Sequence, residues 1–358
     1  MDDYDINDIR GESEFRGYSF SKFKKTDVKK ELLNSLIRSK IEPACYWSAE
    51  LVCAGHYTDL WEVILLFFSK HVHLSNVNIC LYLEMRIGDF KGILNNGYSD
   101  SVLRLRNNEK IRKLFCEVMC VLCDAKRRHS FDNVKIKADD LNMLSVKDKF
   151  QAPSTEYGEE VFTCEDPKEL FPFINELAFS LTETGNNQMN ACYWIEWIFE
   201  YETRCKSLKE RLACERRSFA EVDSKCQKDI VWMVWDVFLN EASKRSKLAS
   251  KWMHALLAMF SLKYTSGCHK KRKNILYLAI AILCETFVPD KEIIRHDQRD
   301  LVQRIKQNIH LVYGQIKQNE ESTGTEYLFL GMKSSHLEST IQKLDAMNSF
   351  GETFVPRL

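Results

Sequence analysis

Pro43-Ala44-Cys45-Tyr46-Trp47-Ser48-Ala49-Glu50-Leu51-Val52-Cys53-Ala54-Gly55 is the stretch on which the fold turns. Pro43 suits the first turn of a helix, where its missing N–H costs nothing. Gly55 suits the stop, because it enters the left-handed region freely. Thr58 or Asp59 then opens a further helix, Leu60 to about His71, whose Trp61, Ile64, Leu65 and Phe68 share one apolar stripe. On the N-terminal side Thr26 or Asp27 predicts a helix start, with Val28, Leu32, Leu33 and Leu36 at helical spacing.

The tetrapeptide Ala44-Cys45-Tyr46-Trp47 returns as Ala191-Cys192-Tyr193-Trp194, with Glu50 and Glu196 close behind. Leu60-Trp61-Glu62-Val63-Ile64 has its counterpart around Val231-Trp232-Met233-Val234. A basic stretch then leads into an apolar helix twice, from Arg112-Lys113 to Cys123 and from Lys271-Arg272-Lys273 to Cys284. The common order predicts two related helical halves. Further helices are expected over 168–182, 187–206, 225–242, 247–262, 270–286 and 290–318, and Ile111 to Ala125 reads as a strong one. Residues 77–94 fit a helix or contain a strand, and periodicity leaves both open. The expected architecture is all-α with little or no β-structure. It runs as a mobile acidic arm (1–20), an N-terminal helical half (21–128), a linker (129–166), a C-terminal helical half (167–318) and a polar tail (319–358).

Bulk properties agree with this reading. The chain has 358 residues, 45% of them hydrophobic, with 13 glycines and only 6 prolines. That is too few turn formers for an all-β protein. Lys plus Arg equal Asp plus Glu at 51 each, so attraction to nucleic acid or to an anionic membrane must come from local patches. The longest apolar runs, Val63 to Phe68 and Ile275 to Cys284, fall short of the roughly 20 residues a spanning helix needs, so no membrane insertion is expected. Thirteen scattered cysteines and an acidic start fit reduced thiols in an intracellular, non-secreted setting.

Candidate sites follow from residue type. Tyr46-Trp47 and Tyr193-Trp194, with Trp61 and Trp232, read first as helix-seam packing. Their second reading is a stacking or anchoring surface. Four basic groups could meet phosphates or a partner. They are Arg104 and Arg106 with Arg112 and Lys113; Lys126-Arg127-Arg128; Arg216-Arg217; and Lys270-Lys271-Arg272-Lys273. Cys116, Cys120 and Cys123 lie on one helical face with His129 beyond, a weak metal pattern, because one straight helix cannot wrap a tetrahedral ion. No Gly-rich phosphate loop is present and no catalytic set can be drawn from sequence neighbours. A hidden active centre would need Glu50, His56, Glu196 or Asp236 to converge. No cofactor is implied.

The run Lys40 to Glu62, together with Leu105-Arg106-Asn107-Asn108, Ala191 to Trp197 and Lys270-Lys271-Arg272, resembles an uncharacterised protein family of nucleocytoplasmic large DNA viruses, of the algal-virus, iridovirus and mimivirus-like groups. The similarity covers about Asp27 to Arg299. It implies a viral protein working in host cytoplasm or a virus factory, with packaging into virions a further expectation, and it carries over no active-site residue. The expected role is non-enzymatic binding or assembly with a viral protein partner. The alternative is a nucleic-acid-binding accessory factor in viral replication or transcription.

Overall fold

The computed structural model describes residues 4–98, 101–141, 146–210, 212–290 and 292–321. Among these the chain forms thirteen α-helices and no sheet, so the fold is all-α. The first five are α1 (Lys25–Ile37), α2 (Ile41–Cys53), α3 (Tyr57–Phe67), α4 (Ile79–Asn95) and α5 (Glu109–Asp124). The short α6 (Glu156–Glu159) precedes α7 (Phe171–Leu181), α8 (Gln188–Ser207), α9 (Val231–Arg245), α10 (Lys247–Ser261) and α11 (Cys268–Cys284). Last come α12 (Arg299–Gln307) and α13 (Ile309–Lys317).

The quoted stretch forms α2, and Gly55 ends it at φ +74°. His56 N–H donates to Leu51 O at 2.8 Å and Gly55 N–H to Val52 O at 3.0 Å, the paired bonds of a Schellman stop. Side-chain caps act elsewhere than expected. Thr26 and Asp59 fall inside first turns, whereas Asn108, Asn187 and Ser246 accept from Ile111 N, Asn190 N and Ala249 N. The ambiguous 77–94 segment is helix α4. Its buried Ile79, Leu83, Ile87 and Phe90 recur at three- and four-residue spacing. A helix was expected across 290–318; instead 299–317 forms two short helices that break at Asn308.

The two sets of five helices repeat one packing scheme. α1 lies against α2, α3 and α5, and α7 lies against α8, α9 and α11. Likewise α2 meets α5 as α8 meets α11, and α4 meets α5 as α10 meets α11. Tryptophans hold equivalent places. Trp61 meets Phe90 of α4 edge-on at 6.0 Å, and Trp232 meets Phe260 of α10 edge-on at 5.9 Å. The halves join through α4 against α10 and α3 against α11, and their buried side chains form one continuous core.

Three segments depart from the expected organisation. Within 1–20, residues 4–20 are held down rather than free. Ile6, Phe15 and Phe20 are buried, and Ile6 N–H donates to Asn107 Oδ1 at 2.9 Å. These three apolar side chains outweigh the acidic ones there. The described parts of the 129–166 connection start on the first half, where Ser130 N–H donates to Lys70 O at 2.8 Å, and go on to the second, where Glu176 accepts from Gln151 N and Ala152 N, and Trp197 Nε1–H donates to Asp140 O at 2.7 Å. Residues 299–317 return to the first half, with α12 on α5 and α13 on α2 and α5. The tail beyond Glu321 lies outside the described residues.

Candidate functional site

The duplicated Tyr-Trp pairs keep the same internal geometry. Tyr46 meets Trp47 edge-on at 5.1 Å, and Tyr193 meets Trp194 edge-on at 5.0 Å. Their surroundings differ. Trp194 is fully buried between Phe173 of α7, at 5.8 Å, and Phe150 of the connecting segment, at 5.6 Å. Lys149 covers Tyr193, its Nζ 4.5 Å from the ring centre and donating to the Tyr193 hydroxyl at 2.9 Å. In the first half Phe23 takes the place of Phe173, meeting Trp47 edge-on at 5.5 Å. Among the described residues nothing takes the place of Phe150. Phe23 is 44% exposed, and Tyr46 and Trp47 are half-buried. One seam is closed by the chain's own connection and its counterpart is open.

The basic candidates are divided by the fold. Arg106, Arg112, Arg217 and Arg272 are corrected as contact residues, because their side chains are buried and spent on internal acceptors. Arg106 donates to Asp8 O at 2.8 Å. Arg112 donates to Arg106 O at 2.7 Å and lies 4.3 Å over the Tyr313 ring. Arg217 reaches Asp166, Asp236 and Thr163. Arg272 Nη2 donates to Glu62 Oε1 at 2.5 Å, tying α11 to α3 across the halves. Arg127 folds back on the end of α5, donating to Leu122 O and to Leu36 O at the end of α1, so it caps two helix C-termini at once.

The outer members mostly hold single carboxylates. Lys126 pairs with Asp290 at 3.1 Å, Arg128 with Glu285, Lys113 with Glu109 and Lys273 with Glu196. Arg216 donates to Gln227 and Lys270 to Thr203. Among the described residues only Arg104 and Lys271 of the thirteen candidates make no side-chain hydrogen bond or ion pair. Several partners lie far away in sequence, as Glu62 is from Arg272, so a local reading of charge runs could not find those.

The cysteines assemble differently from the sequence pattern. Cys116 and Cys120 of α5 are joined by Cys45 of α2, all three buried, with their sulfurs within 4.8 Å of one another. Cys123 lies outside this group, and burial pushes its thiol up to about 12. His129 is also outside it, its Nδ1 facing His71 Nδ1 at 3.2 Å. Their closeness lowers the Cys120 thiol below its ordinary value and raises those of Cys45 and Cys116. The missed member, Cys45, sits in the repeated tetrapeptide, where it reads as ordinary core.

Glu50, His56, Glu196 and Asp236 enter separate networks. Glu50 accepts from Ser21 N and Oγ, His56 Nε2 donates to Tyr18 O, Glu196 accepts from Tyr277 and Lys273, and Asp236 from Arg217. No protein-family model, curated protein or solved structure matches the chain. The reading of its function therefore rests on its own residues.

Proposed function

We propose that this chain is a non-catalytic binding or assembly protein that holds a partner protein on the open aromatic seam of Phe23, Tyr46 and Trp47. The observation that supports it is the contrast between the seams. The second half closes its Tyr193-Trp194 pair with a Lys149-Phe150 segment, and no described residue covers the equivalent surface of the first half in that way. Half-exposed tryptophan and tyrosine side chains are the residue types that carry most binding energy at protein interfaces. The partner expected there presents a short segment with a cation and an aromatic ring, as Lys149 and Phe150 do. The setting is the one the sequence resemblance implies, a large DNA virus replicating in host cytoplasm.

The test is crosslinking and recovery of partners in cells that make the chain, run side by side with Trp47→Ala and Arg104→Ala. A partner kept by the wild type and by Arg104→Ala but lost from Trp47→Ala supports the proposal. A partner retained equally by all three contradicts it.

The nucleic-acid alternative has one groove of basic side chains to draw on. A groove between α4, α5 and α12 is lined by Arg86, Lys110, Lys113 and Lys306, along with Asp89 and Glu117. Arg86 faces Asp89 at 3.2 Å and Glu117 at 3.9 Å, Lys306 pairs with Glu117 and Lys113 with Glu109. Little charge is left for phosphate, so a salt slope of about one released counterion is expected at most. Duplex binding at about 50 mM salt with a slope of four or more would establish the alternative.

A further inference from the structure

We propose that Cys45, Cys116 and Cys120 form a binding site for a three-coordinate thiophilic cation, copper(I). Metal–thiolate bonds of about 2.3 Å, directed at 120°, place the three sulfurs about 4 Å apart. The three sulfurs here already lie within 4.8 Å of one another, and they come from two facing helices. Cys116 and Cys120 stand one turn apart on α5, and Cys45 of α2 closes the triangle from the opposite side. The objection that a single helix cannot surround an ion is met by this second helix.

The donor set selects the ion. Three soft sulfurs favour copper(I) over the hard, oxygen-seeking cations. Among the described residues no histidine or carboxylate joins the group, so tetrahedral zinc lacks its fourth ligand. The cysteines are at most 3% exposed, which leaves no ready place for water to supply one. A trigonal monovalent ion is complete with what is present.

Binding is a proton exchange without redox change when the metal arrives as copper(I). Three S–Cu bonds form, up to three S–H protons leave to solvent, and the ion remains monovalent.

The experiment titrates the reduced full-length chain with copper(I), without oxygen, against the chromophoric chelator bicinchoninate. The wild type is expected to withhold one equivalent, and X-ray absorption of that complex should show three sulfur neighbours at about 2.2–2.3 Å. Cys45→Ala and Cys116→Ala, which keep the small apolar volume, should weaken retention at least tenfold. Cys164→Ala, which removes an exposed thiol, should not. Equal retention by Cys45→Ala, or loss in Cys164→Ala, overturns the site. Should an alanine variant fail to fold, the wild-type absorption spectrum decides alone. Two sulfurs, or any nitrogen or oxygen ligand, overturns the proposal.

Discussion

Arg217 is the residue on which a surface reading and a structural reading differ most in measurable cost. Its side chain is 6% exposed and its partner Asp166 is fully buried. Nη2 donates to Asp166 Oδ2 at 2.6 Å, Nη1 to Asp166 Oδ1 and to Thr163 Oγ1 at 3.1 Å, and Nε to Asp236. Burial alone would raise the Asp166 pKa; the Arg217 guanidinium and the amides of Thr163 and Glu215 outweigh it and hold it low. Replacing Arg217 by Gln strands that carboxylate without its counter-charge, a change that costs about 3–5 kcal/mol in buried pairs. Unfolding entropy of about 2.1 cal/mol/K per residue gives roughly 0.75 kcal/mol/K for a chain of 358 residues, so the Tm should fall by about 4–7 °C. Arg104→Gln, on an exposed side chain, should move it by less than about 1 °C. Adding Asp166→Asn to Arg217→Gln should recover more than about 1 kcal/mol, because the stranded charge is gone. Thermal melts followed by circular dichroism test all three. Equal, small shifts for Arg217→Gln and Arg104→Gln would refute the internal role.

Three other outcomes follow from the same packing. Trp194→Ala should cost about 3–5 kcal/mol, and Trp47→Ala less than half of that, in urea unfolding; equal costs would deny that one seam is closed and the other open. Gly55→Ala should cost about 1–2 kcal/mol, because its φ is +74° and the added Cβ would stand 3.1 Å from Leu103 Cδ2; an unchanged midpoint would count against the Schellman stop. Burial first, then neighbouring cations, lowers His73 and His269 to about 4, so both are neutral in the folded chain near pH 6. The unfolded chain takes up their protons first, at about 6.5. Their contribution is therefore intact above about pH 6.5 and is lost as pH falls towards 4, up to roughly 3 kcal/mol for each. His269→Gln should flatten that acid limb, and an unchanged pH profile would contradict it.

The helices were legible because their signals are local. Gly55 stops α2 as its place after an apolar run implies, and the Ala-Cys-Tyr-Trp repeat led to two sets of helices with matching pairings. What escaped depends on contacts distant in sequence. A lysine or arginine in a run looks alike whether it faces water or a carboxylate many turns away, so Arg217 and Arg272 read as surface charge. The residues before Phe20 read as acidic and free, since the two or three apolar anchors among them carry no periodicity. Cys45 could not be linked to Cys116 and Cys120 until α2 and α5 were seen to pack. The closed and open seams were indistinguishable in sequence, because the cover over Trp194 comes from a segment whose polar composition marked it as a connection.

The two five-helix halves should unfold as one body, because Arg272 ties to Glu62, Trp252 to Asn78 and Arg295 to Asp124. Urea unfolding of the whole chain, read by hydrogen exchange in peptides from α2 and from α8, measures this directly. One shared midpoint is the predicted result; α2 and α8 losing protection at clearly separated urea concentrations would contradict it.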